Sequence, residues 1–180
     1  VAVACEDAAI QDLSLQKKIS DGTVTATRDG DDWVVKLDAS AGGAANAPMN
    51  AWLYMRFTAA GLVKVDIDDH AALTSSAWDI AAKRYGIRVN SGSSGPSCVH
   101  VAAGGSDYAA LTQAPAAAAF APESYYTADC TLVTDDNTLG DPAYQMTGWW
   151  AYAGCVQTTG APFVLRLADG RTLKFVAEAY

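Results

Sequence analysis

The chain reads as mainly β, a single antiparallel domain preceded by one short helix. Three observations predict this. Short runs rich in β-branched and aromatic residues recur through most of the sequence. Gly, Pro, Asn or Asp punctuates the gaps between them. Hydrophobic residues make up 51% of the 180, enough for one sizeable core, and no repeat or linker divides the chain.

The elements follow in order. Ile10, Leu13, Leu15 and Ile19 recur near helical spacing before the Asp21-Gly22 break, so a short N-terminal helix is expected there. Thr23 to Thr27 alternates, and Trp33 to Leu37 follows an Asp29-Gly30 turn. Ala39 to Asn50 is small, rich in Gly and Ala, and contains Pro48, which reads as a loop. Trp52 to Phe57 and Leu62 to Ile67 form a strand pair around Gly61. Gly86 to Asn90 is a short strand, and Cys98 to Ala102 resumes after a Gly/Ser turn. Ala109 to Ala121 is an Ala/Pro-rich loop or one short helix, and Thr131 to Val133 is a brief strand. Trp149 to Tyr152, Phe163 to Leu167 and Thr172 to Val176 complete the set, the last two joined at Asp169-Gly170. Residues 1–50 form an N-terminal extension, part of the same domain or an arm, and 51–180 the β domain.

Charge and cysteines narrow the class. The net charge of −8 argues against nucleic acid or an anionic membrane as partner. No apolar run is long enough to cross a bilayer, so no transmembrane segment is expected. The four cysteines, Cys5, Cys98, Cys130 and Cys155, have no close C-x-x-C spacing. Their even number and wide spread fit two disulfides in an oxidising compartment. Sequence proximity favours Cys130–Cys155, which leaves Cys5–Cys98. The first bridge would stabilise by roughly 3–4 kcal/mol through loop entropy. Ala2-Val3-Ala4-Cys5 lacks the Leu of a lipoprotein box, and four residues precede its Cys. A released extracytoplasmic form with its signal peptide removed is expected.

Catalytic motifs are absent. Gly92-Ser93-Ser94-Gly95 does not have the G-x-S-x-G spacing of a nucleophile elbow and reads as a turn needing small residues. Two histidines without a base–nucleophile grouping place no triad. Asp66, Asp68 and Asp69, and Asp135, Asp136, Asn137 and Asp141, supply hard oxygen ligands but not the EF-hand pattern. Solvated turns account for both, and no metal site is assigned.

The run Trp78-Asp79-Ile80-Ala81-Ala82-Lys83-Arg84-Tyr85-Gly86-Ile87-Arg88-Val89-Asn90, with its Gly/Ser turn, resembles the signature of the HmuY-like haem-binding proteins. Trp52, Tyr54 and Phe57, then Gly61, Val63 and Val65, are similar to that family's aromatic strand, turn and Val-rich strand. Trp149, Ala168-Asp169-Gly170, Lys174 and Tyr180 are similar to its closing strands. The resemblance covers about residues 52–180. It implies a secreted or surface-anchored β protein that holds haem non-catalytically, between two axial side chains flanking the tryptophan strand, and passes it to an outer-membrane receptor. Here those axial ligands are not carried over. Thr127 to Asp141 holds no His or Met, and Gly154 falls where a ligand would stand. The resemblance instead suggests that a Cys130–Cys155 bridge ties the two loops together. Trp78 is expected to be a buried anchor with an acid–base contact of Asp79 and Arg84 beside it.

Iron ligands must then come from elsewhere, and Met146 and His100 are the candidates. Each has a plainer reading. Met fills cores readily, and a lone His on a strand is more often structural. The sequence therefore predicts capture of haem or a related tetrapyrrole or small hydrophobic ligand. The alternative is a cell-surface structural or interaction module, within a surface assembly, that kept the scaffold and lost the metal site.

Overall fold

The computed structural model describes residues 15–40, 43–134 and 142–180. Among them are eleven strands: β1 (Thr23–Asp29), β2 (Asp32–Asp38), β3 (Leu53–Thr58), β4 (Gly61–Lys64), β5 (Ile80–Lys83), β6 (Gly86–Val89), β7 (His100–Ala103), β8 (Trp150–Tyr152), β9 (Val156–Thr158), β10 (Phe163–Arg166) and β11 (Thr172–Phe175). One α-helical turn, α1 (Asp69–Ala72), and 3₁₀ turns at Ala44–Met49, Ala117–Ala119 and Thr147–Trp149 interrupt them.

Every strand pairing is antiparallel. The larger sheet runs β4-β3-β5-β6, a second runs β11-β10-β7, and β1-β2 and β8-β9 are hairpins. One apolar cluster joins the two sheets through Leu53, Met55, Ile80, Val89, Val101 and Leu165, with Trp149 and Trp150 beside them. The period of two in a strand sends the alternate residues of the larger sheet the other way. There Trp52, Tyr54 and Ala81 meet Trp78, Tyr125 and Tyr144 in a second cluster. This sheet is therefore buried on both faces. The first hairpin lies along β4, with Val24, Val35 and Leu37 against the main core. Gly61, at φ +92°, makes that approach possible. A Cβ there would lie 2.8 Å from Ala26 and 2.9 Å from Trp33.

Several expectations change. Leu15 to Asp21 carries no helix and instead contributes a bridge, Ile19 with Asp68, while Ile10 and Leu13 lie outside the described residues. The loop at 39–50 contains the 3₁₀ turn ending at Met49. β5 and β9 were not anticipated. β5 reads Ile-Ala-Ala-Lys, and a strand covered on both sides has no reason to alternate in polarity. Thr131 to Val133 holds only the bridge Tyr126–Leu132.

The expected disulfides are overturned. Cys98 and Cys155 are free and exposed, so neither Cys130–Cys155 nor Cys5–Cys98 forms. Cys130 is disulfide-bonded, and Cys5 lies outside the described residues.

Candidate functional site

The signature run builds an aromatic box around a buried cation. Trp78 is wholly buried; its indole N–H donates to the Ala72 carbonyl at 2.9 Å, and its ring meets Tyr54 edge-on at 4.9 Å. Arg88, between Ile87 and Val89 on β6, points into the second cluster and has no exposed surface. Its guanidinium lies 4.7 Å from the Trp52 ring, 5.1 Å from Trp78 and 5.3 Å from Tyr54. It donates to the Ser94 carbonyl and Oγ and to the Tyr54 hydroxyl. Burial opposes its charge, but the hydroxyls of Tyr54, Tyr125 and Tyr144 and the Asp69 carboxylate outweigh that and raise its pKa. Among the described residues Arg88 Nε has no hydrogen-bond partner. Asn90 closes the box, donating to the Trp78 and Ser75 carbonyls.

Two carboxylates brace the box without touching the cation. Asp69 accepts from the backbone N–H of Trp52 at 2.9 Å and of Gln16 at 2.7 Å, while burial raises its pKa. Glu123, 1% exposed, accepts from Val89 N–H through Oε1 and from Gln145 N–H through Oε2, each at 3.0 Å. Its own backbone N–H donates to Ser91 Oγ. Glu123 thus joins β6, the Gly/Ser turn and the segment leading to β8. Burial pushes its carboxyl up to about 7, against the two N–H bonds and Arg88. The acid–base contact expected of Asp79 and Arg84 is replaced by this arrangement. Asp79 accepts from Phe57 N–H, and Arg84 turns at φ +51° to lie over the Tyr85 ring.

The sequence candidates fall in separate places. Met146 is wholly buried in the main core, just before the 3₁₀ turn that leads to β8. His100 is half-buried at the start of β7 and stands opposite Arg166 on β10. The Arg166 guanidinium donates to His100 Nδ1 at 3.1 Å, since arginine has no acceptor. With Nδ1 accepting, the ring carries its proton on Nε2, and burial and the Arg166 charge both lower the His100 pKa. An iron-ligating histidine normally donates its second ring N–H to an acceptor. His100 faces a cation there instead. Gly154 and Cys155 sit on the exposed β8–β9 turn. The donor set therefore does not fit a two-ligand iron clamp as it stands. Among the described residues no group of three His, Cys, Asp or Glu side chains gathers to hold a metal.

Sequence reasoning missed Arg88, Glu123 and Arg166. An Arg between two apolar strand residues looks like a solvent-facing position, and the one hint to the contrary is the clustering of Trp52, Tyr54 and Trp78 nearby.

No curated protein matches the chain. A family profile described as HmuY protein matches residues 48–180, which include the aromatic box, the Glu123 junction and both closing strands. That family binds haem outside the cytoplasm and is not enzymatic, and among the described residues no helix is long and apolar enough to cross a membrane. With that match spanning most of its length, the chain belongs to the HmuY family.

Proposed function

We propose that this protein is an extracytoplasmic, non-catalytic binder of haem or a related tetrapyrrole, and that it delivers its ligand to an outer-membrane receptor. Membership of the HmuY family over residues 48–180 carries the reading. The doubly covered larger sheet supports it, because a rigid frame holds binding loops in place without catalytic groups. His100 and Met146 are proposed as alternative iron ligands, one or the other, because they lie on opposite sides of the second sheet. Ligation by His100 requires Arg166 to leave Nδ1, and ligation by Met146 requires the core around β8 to open.

The second reading is a surface structural or interaction module that has lost the metal site. The opposition of His100 to Arg166 and the burial of Met146 favour it. A haem titration of the oxidised protein, read in the Soret and visible bands, separates the two. A saturable one-to-one shift with a six-coordinate spectrum supports haem carriage, and His100→Ala and Met146→Ala then assign the ligands. No shift beyond that of free haem sinks the haem reading and promotes the module.

A further inference from the structure

The second sheet has one face in the core and one face outward. Phe163 and Leu165 of β10, with Val101 of β7, point to the core. By the same alternation, Val164 and Arg166 share the other face with His100 and Ala102 on β7 and with Thr172 and Lys174 on β11. Tyr108 to Ala121 crosses this face as a strap tied at both ends. At one end the Tyr108 carbonyl accepts from Lys174 Nζ at 2.9 Å, and the ammonium lies 4.0 Å from the Tyr108 ring centre. At the other, Ala121 and Val101 exchange two backbone hydrogen bonds of 2.9 Å. Leu111 folds back toward Gly104, where a Cβ would lie 2.7 Å from it.

Between strap and sheet lies a cleft of about 390 Å³ with Val164, Leu111 and Ala114 beside Gln113, Thr172 and Lys174 in its lining. No acidic residue lines it, in a chain of net charge −8. Arg166 stands two residues along β10 on the same face, with its guanidinium 4.7 Å from the Phe120 ring of the strap. Among the described residues its one polar partner is His100, and no carboxylate pairs with it. An arginine steered by an imidazole and an aromatic ring, beside a partly apolar cleft without acids, keeps most of its donors for an incoming anion.

We propose that this outer-face cleft binds an apolar carboxylate, with Arg166 as the partner of the carboxylate group. A tetrapyrrole propionate and a fatty carboxylate share that chemistry.

The test is an NMR titration of the full oxidised chain with two probes, iron-free protoporphyrin and decanoate. Decanol and the porphyrin dimethyl ester serve as their uncharged counterparts. At least one carboxylate is expected to bind saturably and to shift the Leu111, Val164 and Arg166 side-chain signals, whereas its uncharged counterpart leaves them in place. Arg166→Gln is expected to weaken that binding about tenfold or more, the loss typical of a charge-assisted pair. Arg166→Lys, which keeps the charge without the fork, falls between, and Lys18→Gln, an exposed residue next to the Ile19–Asp68 bridge, binds as wild type. Amide spectra of each variant establish that it is folded. Shifts with protoporphyrin identify a tetrapyrrole, and shifts with decanoate alone retain the cleft while counting against the tetrapyrrole reading. Protoporphyrin binding that leaves the cleft signals unmoved, with decanoate silent there too, overturns the cleft but spares the proposed function. Silence of these signals with both carboxylates, or full binding by Arg166→Gln, overturns the inference.

Discussion

Glu123→Gln makes the buried junction report on pH. Both carboxylate oxygens accept backbone N–H groups, from Val89 and Gln145. A glutamine supplies one oxygen and one NH₂, so one of those donors loses its acceptor, at a cost of about 1–3 kcal/mol. The opposing effect depends on protonation. Burial raises the carboxyl from its ordinary 4.5 to about 7 in the folded protein. A raised folded pKa means that the native state binds the extra proton. The associated stability is fully present below the unfolded value and is lost as pH rises through about 7. A difference of that size is about 3 kcal/mol across the window. Wild type should therefore lose this increment between about pH 4.5 and 8, and Glu123→Gln should not. Asp69 and Asp79 are also raised, but they are present in both proteins and cancel in the difference. Urea denaturation followed by tryptophan fluorescence at several pH values measures it. The variant should be the less stable protein at the acid end and should draw level with or pass wild type at the alkaline end. A pH-independent difference would refute the reasoning, because it would mean that Glu123 is ionised throughout.

Three further outcomes are expected. Arg88→Met leaves the Tyr54 hydroxyl and the Ser94 groups without their donor inside a closed box; thermal unfolding should show a loss of about 3–5 kcal/mol, and a change under 1 kcal/mol would contradict the role given to this cation. Gly92→Ala places a Cβ 2.0 Å from the Glu123 carbonyl oxygen at φ +54°, so a loss of at least about 2 kcal/mol is expected in the same assay, and a neutral result would mean that the turn is free to shift. Ellman's reagent should label both Cys98 and Cys155 in the native oxidised protein; a silent Cys155 would reinstate the bridge to Cys130.

What was legible in the sequence was local. Asp29-Gly30 and Asp169-Gly170 mark hairpin turns because the turn residues themselves impose the geometry. Alternation in Thr23 to Thr27 and in Trp33 to Leu37 marks strands with one wet face. The family signature was readable for the same reason, since its Trp, Gly and Ser positions lie close together in the chain. The N-terminal helix failed over 15–19 because a spacing of four apolar residues does not outweigh a strand-like bridge to Asp68.

By itself, then, the sequence determined a β-rich chain, the places where it turns, and the family to which it belongs. The tertiary structure alone decided which residues are dry and which charges meet. Arg88 is buried because Tyr125, Tyr144 and α1 arrive from distant parts of the chain to cover the far face of its sheet. Glu123 is a junction because Val89 and Gln145 converge on its carboxylate while its backbone N–H reaches Ser91. Cysteine connectivity follows the same rule. Separation along the chain suggested Cys130–Cys155, but a bond needs proximity in space, and folding leaves Cys155 exposed on its own turn. Period and punctuation act between neighbours, whereas burial, pairing and pKa depend on groups that only the packed fold brings together.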